Sequence, residues 1–122
     1  MTLQELYDRM EGDYQAALKV MMMDKLVARM IVKLPADGSA ARLLAAGERM
    51  DATELFEGAH ALKGISASLG LRKLSDLAAG ICEEFRPGNP RALSDAEVRV
   101  KLEEIRALYD KTVSAIREYE GQ

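Results

Sequence analysis

Ser94-Asp95-Ala96-Glu97 stands just before the longest apolar stripe in the chain, and that pairing restricts the fold more than any other feature. A Ser followed three residues later by Glu forms a capping box: each side chain accepts from the other's backbone N–H, which starts a helix. Behind the box, Val98, Leu102, Ile105, Tyr109, Thr112, Ile116 and Tyr119 recur in alternating steps of four and three. Such a stripe belongs to a helix lying along a bundle. It predicts a helix to about Tyr119, roughly 40 Å long at about 1.5 Å per residue.

The rest of the chain divides in the same way. Thr2-Leu3-Gln4-Glu5 fits a second capping box, opening a short helix that stops at Gly12. Asp13 can cap a stretch from about Tyr14 to Leu34, whose apolar register is imperfect around Met21, Met22 and Met23 and fits either one helix or two. Pro35-Ala36-Asp37-Gly38 breaks the chain, and a shorter helix from about Ser39 to Glu48 carries Leu43 and Leu44. Asp51 with Glu54 is another capping pattern, opening a helix that reaches about Leu69. Gly70 supplies the left-handed residue that commonly ends a helix. A helix over about Arg72 to Phe85 has Leu74, Ala78, Ile81 and Phe85 on one stripe, and Pro87-Gly88-Asn89-Pro90 is a loop. No period-two alternation is long enough for a strand. Short loops between amphipathic helices favour antiparallel neighbours, hence an all-α, up-and-down bundle.

Length and charge narrow the function. The chain has 122 residues, which suits one domain over 1–122. Its formal net charge of −3 argues against nucleic acid as a partner, because phosphate backbones need a basic face. One Cys cannot form an intrachain disulfide, the N-terminus lacks a signal peptide's basic start and apolar run, and no apolar stretch suits a bilayer. The expectation is a cytoplasmic monomer with no membrane attachment.

His60 is the only histidine. A lone histidine on a helix is ordinarily a surface residue or a satisfied core residue. On a wheel of about 100° per residue, Leu55, Gly58, Ala59, Leu62, Ile65, Ser66 and Leu69 lie on the side away from it. Thr53, Phe56, Glu57, Lys63, Gly64 and Ala67 lie within roughly 60° of it. His60 therefore stands near the middle of the solvent face. Gly64, one turn on, costs about 1 kcal/mol relative to Ala in an exposed helix interior. With Ala67 it leaves open space beside the imidazole. Lys63 is within reach at i+3, where its ammonium would favour a negative group on the ring. Phe56 is either an edge of the core or an apolar contact for a partner. An exposed imidazole is mostly neutral near pH 7, and its nitrogen can attack phosphorus and hold a phosphoryl group.

These residues resemble a known pattern. His60-Ala61-Leu62-Lys63-Gly64-Ile65-Ser66-Ala67-Ser68-Leu69-Gly70, followed by Leu74, Leu77 and Ala78, is similar to the motif of histidine-containing phosphotransfer (HPt) domains. The resemblance implies an antiparallel four-helix bundle with one or two additional N-terminal helices. It implies that His60 accepts a phosphoryl group on Nε2, that Lys63 assists electrostatically and that Gly64 leaves room for the partner. Phe56, Glu57, Ala61, Gly64, Ala67 and Ser68 become the docking surface. The implied partners are response-regulator receiver domains and a hybrid sensor kinase, joined in a two-component phosphorelay. The receiver would bring the aspartate, the Mg²⁺ and a catalytic lysine, so the chain itself needs no cofactor or metal. Cys82 departs from the pattern, since such domains often carry Glu there, which puts a local charge contact in doubt.

Two other readings compete. A helical adaptor could dock a receiver without accepting phosphate, keeping Phe56 and the small residues but not needing His60. General acid–base catalysis by His60 is poorly supported, because no Asp, Ser or Cys partner stands at helical spacing. A zinc site is unsupported, since Cys82 has no Cys or His at ligand spacing. Without a Gly-rich nucleotide loop, the chain is not expected to phosphorylate itself from ATP.

Overall fold

In the computed structural model, which describes residues 1–122, helices begin where the capping signals stand. Thr2 opens α1 (Leu3–Arg9) and Ser94 opens α7 (Asp95–Glu120), each with both halves of its capping box formed. Asp13 accepts from the Ala16 N–H at the start of α2 (Tyr14–Met21). Then follow α3 (Asp24–Ile31), a single 3-10 turn over Leu34–Ala36, α4 (Ser39–Arg49), α5 (Ala52–Ser68) and α6 (Arg72–Glu84), with no strand. At α5 the cap is one-sided. Asp51 accepts from the Glu54 N–H, but the Glu54 side chain turns to Arg42 instead of returning to the cap.

Two helical stretches precede the bundle, and the second is divided. Met22 ends α2 in the left-handed region, with φ 71°. A residue with a Cβ pays about 1–2 kcal/mol for that conformation. On either side of the break, Ala17 of α2 and Val27 and Ile31 of α3 are fully buried.

Helices α4, α5, α6 and α7 close a ring, each packing on the next and α7 returning to α4. The turns at Met50-Asp51 and over Leu69–Leu71 are too short for anything but antiparallel neighbours. Leu43, Leu55, Leu62, Leu74, Ile81, Val98, Ile105 and Ile116 fill the interior, each fully buried. Burial of one such side chain is worth about 1.5–3 kcal/mol. On α7 the buried arc is wider than the predicted stripe and adds Leu108, Val113 and Ala115, while Tyr109 and Tyr119 are half-buried. The reason is that α7 is covered by α4 and α6 and also by α1.

Gly70 meets two demands at once. Its φ is 72°, and a Cβ there would collide with the Asp13 carbonyl and the Ala17 amide. The Asp13 N–H donates to the Gly70 carbonyl at 2.7 Å, which fastens α2 to the α5–α6 turn. At the other end of α6, the segment leading into α7 is held by a buried carboxylate. Glu84 Oε2 accepts from the N–H groups of Ala92 and Leu93, at 3.0 and 2.8 Å, and from Arg91 Nε at 3.1 Å.

Candidate functional site

Helix α5 holds its inner face against α4. At Gly58 a Cβ would stand 3.0 Å from the Leu43 Cα, so the two backbones touch there. Leu55, Ala59, Leu62 and Ser66 are buried on the same side, as the wheel predicts, and Ile65 is half-buried at the edge. This packing leaves His60 exposed on the outer face.

The imidazole is flanked on three sides. Its ring stacks on Phe56, with centroids 6.0 Å apart and planes 20° apart. Phe56 is half-buried and packs against the core, so it is an edge of the core. Nδ1 lies 4.0 Å from Sγ of Cys82, a fully buried residue of α6. On the side of Gly64 the space is open, with nothing within 4 Å of an added Cβ. Since Nδ1 is turned to a buried sulfur, the opposite edge of the ring, which carries Nε2, is turned to solvent.

Lys63 is half-buried and pairs with no carboxylate. Its carbonyl accepts from Ser75 Oγ at 3.3 Å, a contact between α5 and α6. Glu57 is exposed and its carboxylate meets Arg42 of α4 at 2.6 Å. Arg42 also donates to Glu54, from Nε at 2.7 Å and from Nη2 at 3.2 Å. Those bonds hold the Glu54 carboxyl below its ordinary range and raise the Arg42 guanidinium. On α6, Arg86 donates to Glu83 at 3.0 and 2.7 Å, and its guanidinium sits 5.6 Å from the centre of the Phe56 ring. Arg86 is the main cause of the depressed Glu83 carboxyl, with Asn89 and Lys63 adding to it.

The remaining predicted contact residues share one surface. Ala61, Gly64, Ala67 and Ser68 are all exposed on α5, and Ser68 Oγ donates back to the Gly64 carbonyl at 3.1 Å. Sequence reasoning missed Arg42, Glu83 and Arg86, and it did not place Cys82 against the imidazole. Their contacts around α5 depend on how α4 and α6 register against it, and no local spacing reports that.

Comparison with protein families matches residues 22–115 to the Hpt domain. The chain belongs to the Hpt domain family. No curated protein and no solved structure matches it. Membership carries the general activity: an Hpt domain is a histidine phosphotransfer shuttle in phosphorelay signalling, not a kinase, and such domains interact with receiver domains. The match begins inside the α2–α3 turn and ends within α7, so it contains the four-helix ring and all the residues around His60. No cluster of three or more His, Cys, Asp or Glu side chains is arranged to hold a metal ion, and no helix is long and apolar enough to cross a membrane.

Proposed function

We propose that His60 is the phosphoacceptor of this Hpt domain, supported by Lys63 and given clearance by Gly64. The orientation of the ring carries the reading. The chain's single histidine is exposed on α5, with Nδ1 turned toward Cys82 Sγ and Nε2 outward. A neutral imidazole with its proton on Nδ1 has a free lone pair on Nε2. That lone pair attacks the phosphorus of an aspartyl phosphate on a receiver domain. An N–P bond forms, the acyl P–O bond breaks, and the aspartate leaves as a carboxylate while Nδ1 keeps its proton. The reverse step returns the phosphoryl group to an aspartate, so no further reactant is consumed in either direction. The receiver contributes the aspartate and its Mg²⁺.

A phosphoryl group brings about −1.5 to −2 charge. Lys63, with no carboxylate of its own, is the cation one turn away that can answer it. Phe56, Glu57, Ala61, Gly64, Ala67 and Ser68 make a docking surface of small and apolar groups around the nucleophile. The chain acts as one domain over residues 1–122, as a monomer, between receivers that include the one on a hybrid sensor kinase.

The test is transfer from a phosphorylated receiver. Wild type gains an acid-labile, alkali-stable label and His60→Gln gains none, while both show the same helical circular dichroism. Equal labelling of the two would remove His60 from the mechanism. Tight receiver binding with no label on either would favour an adaptor.

A further inference from the structure

Glu57 is a poor neighbour for a phosphohistidine. It is three residues before His60 on the same face of α5, and i,i+3 side chains on a helix lie about 5–6 Å apart at Cβ. An unpaired carboxylate there would repel the phosphoryl group that the proposed reaction delivers. The structure pairs it: Arg42 reaches across from α4 and meets the Glu57 carboxylate at 2.6 Å. On the α6 side, Glu83 is likewise held by Arg86, at 2.7 Å. Both carboxylates are thus paired with arginines, and Lys63 forms no salt bridge of its own.

Resting on the assignment of His60 as phosphoacceptor, we infer that Arg42 is an electrostatic positioning residue for the transfer: by occupying Glu57 it removes the charge that would oppose a phosphoryl group on His60. Arg42 touches neither the imidazole nor the partner's phosphate in this role. It acts through Glu57 alone. Glu54, the second carboxylate on Arg42, provides an internal control. It is six residues before His60, about 120° round the helix at about 100° per residue, and faces away from the ring.

The experiment compares wild type, Arg42→Gln, Arg42→Gln/Glu57→Gln and Arg42→Gln/Glu54→Gln. Two phosphodonors are used in parallel, a phosphorylated receiver domain and phosphoramidate. With phosphoramidate, Nε2 attacks phosphorus, the donor's P–N bond breaks and ammonia leaves, so no protein docking enters the rate. The expected result is a loss of about two- to fivefold in the labelling rate of Arg42→Gln, the scale of one exposed charge interaction. Adding Glu57→Gln restores the rate and adding Glu54→Gln does not. The deficit also shrinks in 1 M salt, where screening acts within about 3 Å.

A purely structural Arg42, tying α4 to α5, would lower the melting temperature and the rate together, with neither double variant rescuing. That pattern overturns the inference, as does an Arg42→Gln rate equal to wild type or equal rescue by both doubles. If only the receiver labels the protein, the same comparison is read with that donor. Wild type unlabelled by both donors would remove the His60 assignment and this inference with it. Labelled wild type with an indifferent Arg42→Gln would remove this inference alone.

Discussion

Sγ of Cys82 on α6 faces Nδ1 of His60 on α5 at 4.0 Å, which makes a buried thiol the inner neighbour of an exposed imidazole. Sulfur is a weak acceptor, and an Nδ1–H pointing at it leaves Nε2 unprotonated. Cys82→Ala is expected to mix the two neutral tautomers, visible in ¹⁵N chemical shifts of the ring, and to slow phosphoryl gain about two- to fivefold, the worth of one weak hydrogen bond. Cys82→Ser keeps an acceptor and should keep the tautomer. An unchanged tautomer ratio in the alanine variant would show that the sulfur takes no part.

Gly64 and Gly58 lie six residues apart on one helix and should respond oppositely to a methyl group. Gly64 has open space around it, so Gly64→Ala is expected to raise stability by about 1 kcal/mol. Gly58 lies against the Leu43 backbone, so Gly58→Ala should cost about 1–3 kcal/mol through overpacking. Urea unfolding measures both. Gly64→Gln should stay folded and lose transfer from a receiver while still accepting phosphate from phosphoramidate. Loss with both donors would mean that Gly64 does something other than admit a partner.

Acid should weaken the fold partly through Glu84. Its carboxyl is held below the ordinary glutamate range chiefly by the Leu93 N–H, with Arg91 and the Ala92 N–H also lowering it. A folded-state value below the unfolded one means that the unfolded chain binds the proton more readily. The stabilisation is therefore fully present above about pH 4.5 and lost as pH falls through the lower folded value. Glu84→Gln should be less stable than wild type at pH 7, and the two should converge as pH drops below about 4.5. Stability curves that stay parallel from pH 7 to acid would contradict this.

Tyr7 ties α1 to the far end of the helix that carries His60. Its hydroxyl donates to the Leu69 carbonyl at 2.6 Å in a buried setting, and burial pushes its acidity far above the ordinary range. Tyr7→Phe removes that donor and should cost about 1–3 kcal/mol in thermal or urea unfolding. The His60 label should form at an unchanged rate, since the contact is nine residues further along α5. A slowed rate would instead indicate that the α1 anchor sets the position of the site.

Much of this protein is local. Caps at Thr2, Asp13, Asp51 and Ser94, the stop at Gly70 and the apolar stripes on α6 and α7 are all written in short windows of sequence, because helix initiation and helical phase depend on residues within about four positions of each other. The same periodicity turns His60, Lys63 and Gly64 to the outer face of α5. The break at Met22 was less legible, because a left-handed methionine is a strained state that no local residue preference announces.

What the tertiary structure alone decided is the company His60 keeps. Cys82 and Arg86 come from α6 and Arg42 from α4, each set by how two helices slide and rotate against α5. That register follows from contacts such as the Gly58 backbone against Leu43 and Ser75 against the Lys63 carbonyl. Such contacts join residues twelve or more positions apart, where helical periodicity carries no information, so the sequence turned His60 outward and the packing chose what surrounds it.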